Sequence, residues 1–214
     1  MTELHKQRIA KFANIDLYPV ITSDFCNGRD PVEILKAIAD GGAKVVQMRE
    51  KNITKLKIAK FAEKFRDITS QYNMLLIIND DLDLALSVDA DGVHLGQDDL
   101  SPLKARELAP DLILGVSTHS VDEALKAVEE KASYINIGPI FATGTKSLSM
   151  DPLGIDSIHE IAPLINIPFT VMGGIKERHI KELVDVGATR IAMVTEITQA
   201  ENVEERVKEL RKLF

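Results

Sequence analysis

Residues 75–100 read LLIINDDLDLALSVDADGVHLGQDDL, and one pattern occurs in them twice. The apolar run over 74–78 predicts a buried strand that ends just before Asp80, and a short helical pattern follows it. A second strand over 92–95 ends at another acidic group, which includes Asp99. Each time, a buried strand delivers carboxylates at its C-terminal end, where the functional sites of parallel α/β proteins are built.

The same alternation of strand, turn and helix continues along the chain. Strands are predicted over residues 17–22, 44–48, 74–78, 92–95, 112–116, 134–137, 168–172 and 190–194. Helices are predicted over residues 31–40, 54–72, 82–88, 102–108, 121–130, 155–162, 176–186 and 203–213. This order indicates parallel strands joined by crossover helices.

Eight such units predict an α/β fold, a (β/α)8 TIM barrel formed as a single domain over residues 1–214. Residues 1–14 form an accessory segment with a predicted N-terminal helix that packs on the barrel. A doubly wound open sheet is the alternative. The glycine-rich fingerprint of dinucleotide-binding sheets does not follow the first strand, where residues 22–25 read TSDF.

The chain has 214 residues, of which 45% are hydrophobic, and a formal net charge of −7. This acidic balance argues against a nucleic-acid or membrane-surface partner. The single cysteine, Cys26, allows no internal disulfide, and no apolar run reaches the roughly 18 residues of a membrane span. The N-terminus also lacks the apolar stretch of a secretory signal. The sequence predicts a soluble cytoplasmic protein that acts on small molecules, and it leaves open whether the chain forms a homo-oligomer.

Asp80 and Asp99 follow consecutive predicted strands. Neighbouring strands lie roughly 4.8 Å apart, so one carboxylate from each turn can reach the same cation. Each aspartate also has a purely structural interpretation: Asp80 as a helix N-cap, and Asp98 or Asp99 as part of a turn. The repetition on consecutive strands favours a Mg²⁺ site.

The second strand ends in Gln47, Arg49 and Lys51. Alternation along a strand points Gln47 and Arg49 the same way, and the loop carries Lys51 onward. Arginine offers a two-pronged donor to phosphate oxygens and lysine a mobile charge, a combination that suits a diphosphate. The alternative is a surface charge run paired with Glu50.

Further polar groups follow the later strands. Ser117 lies at the end of strand five, where its hydroxyl could donate to an anion. Thr118 or Ser120 can instead cap the next helix. His119 is interpreted as a cap-region residue rather than a catalytic acid or base. The loop after strand six carries two hydroxyls and an ammonium beside a glycine, and the loops after strands seven and eight fit a phosphate. These residues are Thr143, Gly144, Thr145, Lys146, Gly173, Gly174, Val194 and Thr195.

These segments, in this order, make the sequence resemble the thiamine phosphate synthase family. The shared segments are QMREK (47–51), IINDDLDLAL (77–86), DGVHLGQDDL (91–100), GVSTH (115–119) and GPIFATGTK (138–146), and the resemblance covers residues 17–214. It implies a (β/α)8 barrel and a magnesium-dependent transferase. The family joins hydroxymethylpyrimidine diphosphate to a thiazole phosphate, and it releases pyrophosphate and thiamine phosphate.

The resemblance also implies roles for individual residues. It places Mg²⁺ on Asp80 and Asp99, and Ser117 beside the reacting centre. It assigns the pyrimidine diphosphate to Gln47, Arg49, Lys51, Asn79 and Lys146. It assigns the thiazole phosphate to Thr143, Thr145, Gly174, Val194 and Thr195. Arg49, Lys51, Ser117 and Lys146 are the residues expected to act in catalysis.

The sequence departs from the family pattern at two places. Thr195-Glu196 stands where the family more often has Ser-Ala, and Ser23-Asp24 stands where Asp is usually followed by Arg. If the Glu196 carboxylate points inward, it would weaken binding of the thiazole phosphate, and replacing it with alanine would improve affinity. If it faces solvent in the first turn of the helix, it would only stabilise the helix through its dipole. The alternatives to a synthase are a thiazole tautomerase-like isomerase and a non-catalytic relative that binds a phosphate ligand.

Replacing Lys146 with alanine is expected to lower the rate of thiamine phosphate formation by about 100-fold or more, because the ammonium would no longer neutralise the leaving diphosphate. Steady-state kinetics of the purified variant measure this. Wild-type kinetics in the variant would contradict the assignment.

Overall fold

A computed structural model of the protein describes residues 2–144 and 151–214. Within these residues, eight parallel strands form a closed barrel in which each strand pairs with the next and β8 pairs with β1. The strands are β1 Leu17–Ile21, β2 Val45–Met48, β3 Leu75–Asn79, β4 Gly92–Leu95, β5 Ile113–Thr118, β6 Tyr134–Ile137, β7 Phe169–Val171 and β8 Ile191–Met193. The predicted barrel is confirmed, and every predicted strand is present.

Helices alternate with these strands as predicted. The described residues contain α1 Glu3–Ala13, α2 Pro31–Asp40, α3 Lys55–Gln71, α4 Leu82–Ser87, α5 Pro102–Leu108, α6 Val121–Glu129, α7 Asp156–Ile161, α8 Glu177–Asp185, α9 Thr195–Thr198 and α10 Val203–Arg211. The short α9 was not predicted, and neither were the 3₁₀ turns Ser23–Phe25 and Ala162–Leu164. Such short segments are too brief to show a helical period. No helix in the described part of the chain is long and apolar enough to cross a bilayer.

Alternation along each strand creates two apolar clusters. In β1, Leu17 and Ile21 belong to the cluster between the strands and the surrounding helices, whereas Tyr18 and Val20 belong to the cluster inside the barrel. All the residues of β1 are buried. A strand covered on both faces reads as a continuous apolar run, which explains why the sequence showed runs rather than strict alternation.

Helix α1 packs onto the interior cluster. Phe12 is fully buried and stacks on Tyr134 with 4.2 Å between ring centroids. His5 and Arg8 of the same helix hydrogen-bond to the backbone carbonyls of Leu112 and Asp111, just before β5 begins. The helix therefore covers the N-terminal ends of the strands, opposite the end where the acidic turns lie.

Replacing Phe12 with alanine is expected to lower the free energy of unfolding by about 3–5 kcal/mol, because it removes a buried ring from the barrel interior and leaves a cavity. Urea unfolding followed by circular dichroism measures this. Leu4→Ala is the matched control, since Leu4 lies on the same helix and is 44% exposed. Equal stability of the two variants would show that α1 does not seal the interior.

Candidate active site

The C-terminal ends of the strands surround a pocket of about 230 Å³, which we call the main pocket. Side chains from the turns after β2, β3 and β4 converge there with a serine from β5. The predicted site residues that line it are Gln47, Arg49, Lys51, Asn79, Asp80, Asp99, Ser117 and Val194. Residues that lie far apart in the sequence are brought together because parallel pairing places all eight strand ends at one rim of the barrel.

Asp80 and Asp99 both line the main pocket, and their carboxyl groups interact with each other electrostatically. Burial and the neighbouring Asp80 carboxylate raise the pKa of Asp99, although its Oδ2 also accepts a hydrogen bond from the Gly96 N–H at 2.7 Å. Burial would raise the pKa of Asp80 as well, but its contacts with Lys51 and Asp99 outweigh that effect and lower it. The pair is a like-charge site that a cation would stabilise.

The backbone of Asp80 lies in the left-handed region, with φ of 63°. Its N–H donates to the carbonyl of His94 at 2.8 Å, which joins the turn after β3 to β4. The N-cap of α4 is Asp81, whose side chain accepts from the Leu84 N–H. The capping interpretation therefore applies to Asp81 and not to Asp80, and the unusual backbone conformation directs the Asp80 side chain into the pocket.

Lys51 pairs with Asp80 rather than with the adjacent glutamate. Its Nζ lies 2.8 Å from Asp80 Oδ2. Glu50 instead accepts hydrogen bonds from Ser23, from the backbone N–H at 2.8 Å and from Oγ at 2.6 Å. The alternative of a charge run paired with Glu50 is wrong for Lys51. Arg49 and Lys51 remain at the pocket, while Glu50 holds the turn after β1.

A chain of hydrogen bonds crosses the barrel beneath the pocket, and we call it the interior network. Gln47 Nε2 donates to Tyr18 Oη at 3.0 Å, and the Tyr18 and Tyr134 hydroxyls lie 3.0 Å apart. His94 then bridges, with Nδ1 2.9 Å from Tyr134 Oη and Nε2 2.9 Å from Ser117 Oγ. The network therefore links Gln47 to Ser117, two residues on opposite sides of the pocket.

The two tyrosines of the interior network are fully buried. Burial raises the pKa of both hydroxyls, so they stay protonated and can act as donors in the chain. Gly115 makes the space: a Cβ there would lie 2.3 Å from Tyr134 Oη and 2.5 Å from His94 Nδ1. Tyr18, Tyr134 and His94 were not predicted as site residues from the sequence. Their inward positions follow from alternation, but their pairing across the barrel does not.

A second, smaller pocket of about 40 Å³ adjoins the main one, and we call it the glycine pocket. Its lining includes Thr143, Gly173, Gly174, Lys176, Val194 and Thr195. Met172 and Val194 line both pockets, so the two cavities are neighbours. Four predicted phosphate-binding residues are therefore together here: Thr143, Gly174, Val194 and Thr195.

Gly174 is required by the protein's own packing. Its φ is +60°, and a Cβ would lie 2.3 Å from the carbonyl oxygen of Ala142. The loop after β6 thus lies directly against this glycine, which leaves no room for a side chain. Thr145 and Lys146, in the same loop, lie outside the described residues.

Glu196 neither points unpaired into the pocket nor faces solvent alone. Its carboxylate lies 3.0 Å from Lys176 Nζ and also contacts the guanidinium of Arg206. Burial raises its pKa, but these two cations outweigh that effect and lower it below the usual value. Neither of the two orientations considered from the sequence describes this arrangement.

His119 lies outside both pockets. Its Nδ1 lies 2.9 Å from Glu123 Oε2, and its backbone N–H donates to the same oxygen. Ser120 is the N-cap of α6, and Thr118 Oγ1 donates to the carbonyl of Asn136. The interpretation of His119 as a cap-region residue agrees with these contacts.

The chain is similar in sequence to known proteins along most of its length. The family model described as thiamine monophosphate synthase matches residues 17–197. A thiamine-phosphate synthase of Caldicellulosiruptor saccharolyticus is 37% identical over 206 residues, which cover 96% of this chain and 93% of that protein. One of Chloroflexus aurantiacus is 40% identical over 205 residues, covering 96% and 95%.

A solved structure agrees with these sequence relatives. The thiamine phosphate pyrophosphorylase of Pyrococcus furiosus superposes with a TM-score of 0.85 at 33% identity, covering 93% of this chain and 95% of that one. Residues 17–197, which the family model matches, include every strand of the barrel and the residues that line both pockets. The chain belongs to the thiamine monophosphate synthase family.

Proposed function

We propose that the protein condenses 4-amino-2-methyl-5-hydroxymethylpyrimidine diphosphate with 4-methyl-5-(2-hydroxyethyl)thiazole phosphate, giving thiamine phosphate and pyrophosphate. The observation that carries this proposal is the pairing of Asp80 with Asp99 in one pocket with Arg49 and Lys51. Cationic side chains and a carboxylate-bound metal ion are both common partners of a diphosphate. The adjoining glycine pocket offers room for the phosphate of a second substrate.

The main pocket would hold the pyrimidine diphosphate. Arg49, Lys51 and Asn79 supply donors for its phosphate oxygens. The Gln47 amide nitrogen donates one hydrogen bond to Tyr18, and its amide oxygen would accept one from the amino group of the pyrimidine. Gln47 would therefore orient the ring while the cations hold the diphosphate.

Asp80 and Asp99 would hold Mg²⁺. Their donor set fits this ion, because magnesium prefers oxygen ligands and is commonly bound by one or two carboxylates together with substrate phosphates and water. Burial and the Asp80 carboxylate both raise the pKa of Asp99, and a divalent cation would offset both effects. The described residues contain no cluster of three or more possible metal-binding side chains, so the remaining ligands would come from diphosphate and water. When bound, the ion neutralises charge on the leaving diphosphate.

The reaction breaks the bond between the pyrimidine methylene carbon and the diphosphate oxygen. The electron pair leaves with pyrophosphate, and the electron-rich aminopyrimidine stabilises the resulting cation. Arg49, Lys51 and Lys146 stabilise the charge that develops on the leaving group. The thiazole nitrogen then forms the new bond with its lone pair. No proton is removed in this step, so the site needs no general base.

Ser117 would lie beside the reacting centre. Its hydroxyl is 2.9 Å from His94 Nε2, and the His94 ring is fixed from the other side by Tyr134. The interior network thus sets the position of the Ser117 oxygen within the pocket.

The thiazole phosphate would occupy the glycine pocket. Its phosphate would accept hydrogen bonds from the backbone N–H groups of Gly174, Val194 and Thr195 and from the Thr195 hydroxyl. Thr143 and Thr145 would add hydroxyl donors from the loop after β6. The shared wall of Met172 and Val194 would bring the thiazole ring next to the pyrimidine.

Replacing Asp80 or Asp99 with asparagine is expected to lower magnesium-dependent turnover by about 100-fold or more, because each change removes one anionic metal ligand. Thiamine phosphate formation is measured across a magnesium titration. Asp98→Asn is the matched control, since Asp98 is exposed and lines the same pocket.

Equal losses in the Asp98 and Asp99 variants would contradict the assignment of the pair. Saturable binding of thiazole phosphate by the wild type without formation of thiamine phosphate would favour the isomerase or the non-catalytic relative instead.

Replacing Tyr134 with phenylalanine is expected to lower kcat about tenfold, because Tyr18 and His94 each lose a buried hydrogen-bond partner and Ser117 loses its fixed position. Steady-state kinetics measure this, with urea unfolding to report the folded fraction. Tyr72→Phe is the control, since Tyr72 is exposed and its hydroxyl donates to Asp40. An unchanged kcat in the Tyr134 variant would show that the interior network does not position Ser117 for the reaction.

A further inference from the structure

Lys176 lies at the glycine pocket with a half-exposed side chain. It lines the cavity together with Gly173, Gly174 and Thr195, and its side chain is 41% exposed. Its Nζ lies 3.0 Å from Glu196 Oε2. Lys176 also lines a neighbouring open cavity together with Glu196, so its side chain lies between the two cavities. An ammonium group carries three donors, so one bond to Glu196 leaves two for a ligand.

Glu196 is anchored from the other side. Its second carboxylate oxygen contacts Arg206 of α10, whose Nη1 also lies 2.7 Å from Glu177 Oε2. The side chains of Glu196 and Arg206 are only 15% and 19% exposed. An ion pair with both partners this far from solvent keeps its geometry better than a surface pair. Arg206 therefore fixes the carboxylate to which Lys176 is attached.

The backbone of Lys176 is fixed as well. Its N–H donates to Nδ1 of His179 at 3.1 Å, and the His179 ring stacks on Phe141 with 4.0 Å between centroids. Phe141 belongs to the loop after β6, which also carries Thr143 of the glycine pocket. Because this N–H is already bonded within the protein, the group that Lys176 can offer to the pocket is its side-chain ammonium.

We propose that Lys176 binds the phosphate group of the thiazole substrate and selects for the phosphorylated form, with Glu196 and Arg206 as positioning residues that hold the ammonium at the pocket. This inference rests on the proposed function and adds a specificity residue to it. The backbone N–H groups of the pocket supply directional hydrogen bonds, whereas Lys176 supplies a full positive charge. Without Glu196, the flexible lysine would spread over many rotamers and contact the phosphate less often.

A phosphate-binding role for Lys176 reverses the effect expected for Glu196 from the sequence. An unpaired carboxylate near a phosphate would repel it, and its removal would improve affinity. A carboxylate that holds Lys176 in place acts in the opposite direction, so Glu196→Ala is expected to raise the KM for thiazole phosphate. Glu196→Gln keeps the size of the side chain and one of its two acceptor oxygens, and it is expected to have a smaller effect.

The test compares Lys176→Met with Lys181→Met. Lys181 lies on α8, for which Lys176 is the N-cap residue; it is 82% exposed and forms an ion pair with Asp185, which makes it a matched control. Lys176→Met is expected to raise the KM for thiazole phosphate about tenfold or more. The KM for the pyrimidine diphosphate and the KM for the unphosphorylated thiazole alcohol should stay within about twofold of wild type.

A direct measurement of thiazole phosphate binding tests the role of Lys176 even if the protein does not catalyse the proposed reaction. Calorimetry with thiazole phosphate alone needs no turnover, and it should show the same tenfold loss for Lys176→Met and none for Lys181→Met. Unchanged affinity in Lys176→Met would overturn the proposal and leave Lys176 as a partner of Glu196 only. Equal losses for the phosphate and the alcohol would also overturn it, because they would indicate altered packing rather than recognition of phosphate.

Discussion

The pairing of β3 with β4 is the constraint on which the site depends. Asn79 lies opposite His94 in this pair, and the Asp80 N–H donates to the His94 carbonyl. This register places the turn that carries Asp80 next to the turn that carries Asp99. The two carboxylates are therefore held close together, although each would be better solvated in water. The repulsion is balanced by Lys51 on one side and by the Gly96 N–H on the other. Two carboxylates held this close together are suited to bind a cation together with a phosphate ligand.

The barrel interior contributes more than a filled core. A purely apolar interior would be simpler to pack, yet Tyr18, Tyr134 and His94 form a buried polar chain that is connected at every step. Such a chain is favourable only when its members are paired, and Gly115 gives it the necessary space. Phe12 stacks on Tyr134 from below. The N-terminal helix thereby supports the same network that reaches Ser117 at the opposite end of the strands.

Much of the fold and of the main pocket could be predicted from the sequence. Apolar runs that end in polar turns predict parallel strands, and parallel strands bring their C-terminal ends together, so Arg49, Asp80 and Asp99 were expected at one site. The interior network could not be predicted, because Tyr18 and Tyr134 are 116 residues apart and only the closed barrel brings their hydroxyls together. The contact of Glu196 with Arg206 could not be predicted either, because the two residues lie on different helices whose packing the sequence does not show. The roles of Thr145 and Lys146 stay predictions from the sequence.

Magnesium-dependent formation of thiamine phosphate is tested most directly by measuring the products formed from the two purified substrates. The protein is incubated with the pyrimidine diphosphate and the thiazole phosphate, once with magnesium and once with a chelator, and thiamine phosphate and pyrophosphate are quantified. Equal amounts of both products are expected with magnesium, and both products should be lost with the chelator. Product formation that is unaffected by the chelator would contradict the metal site at Asp80 and Asp99, and the absence of product with magnesium would contradict the proposed reaction.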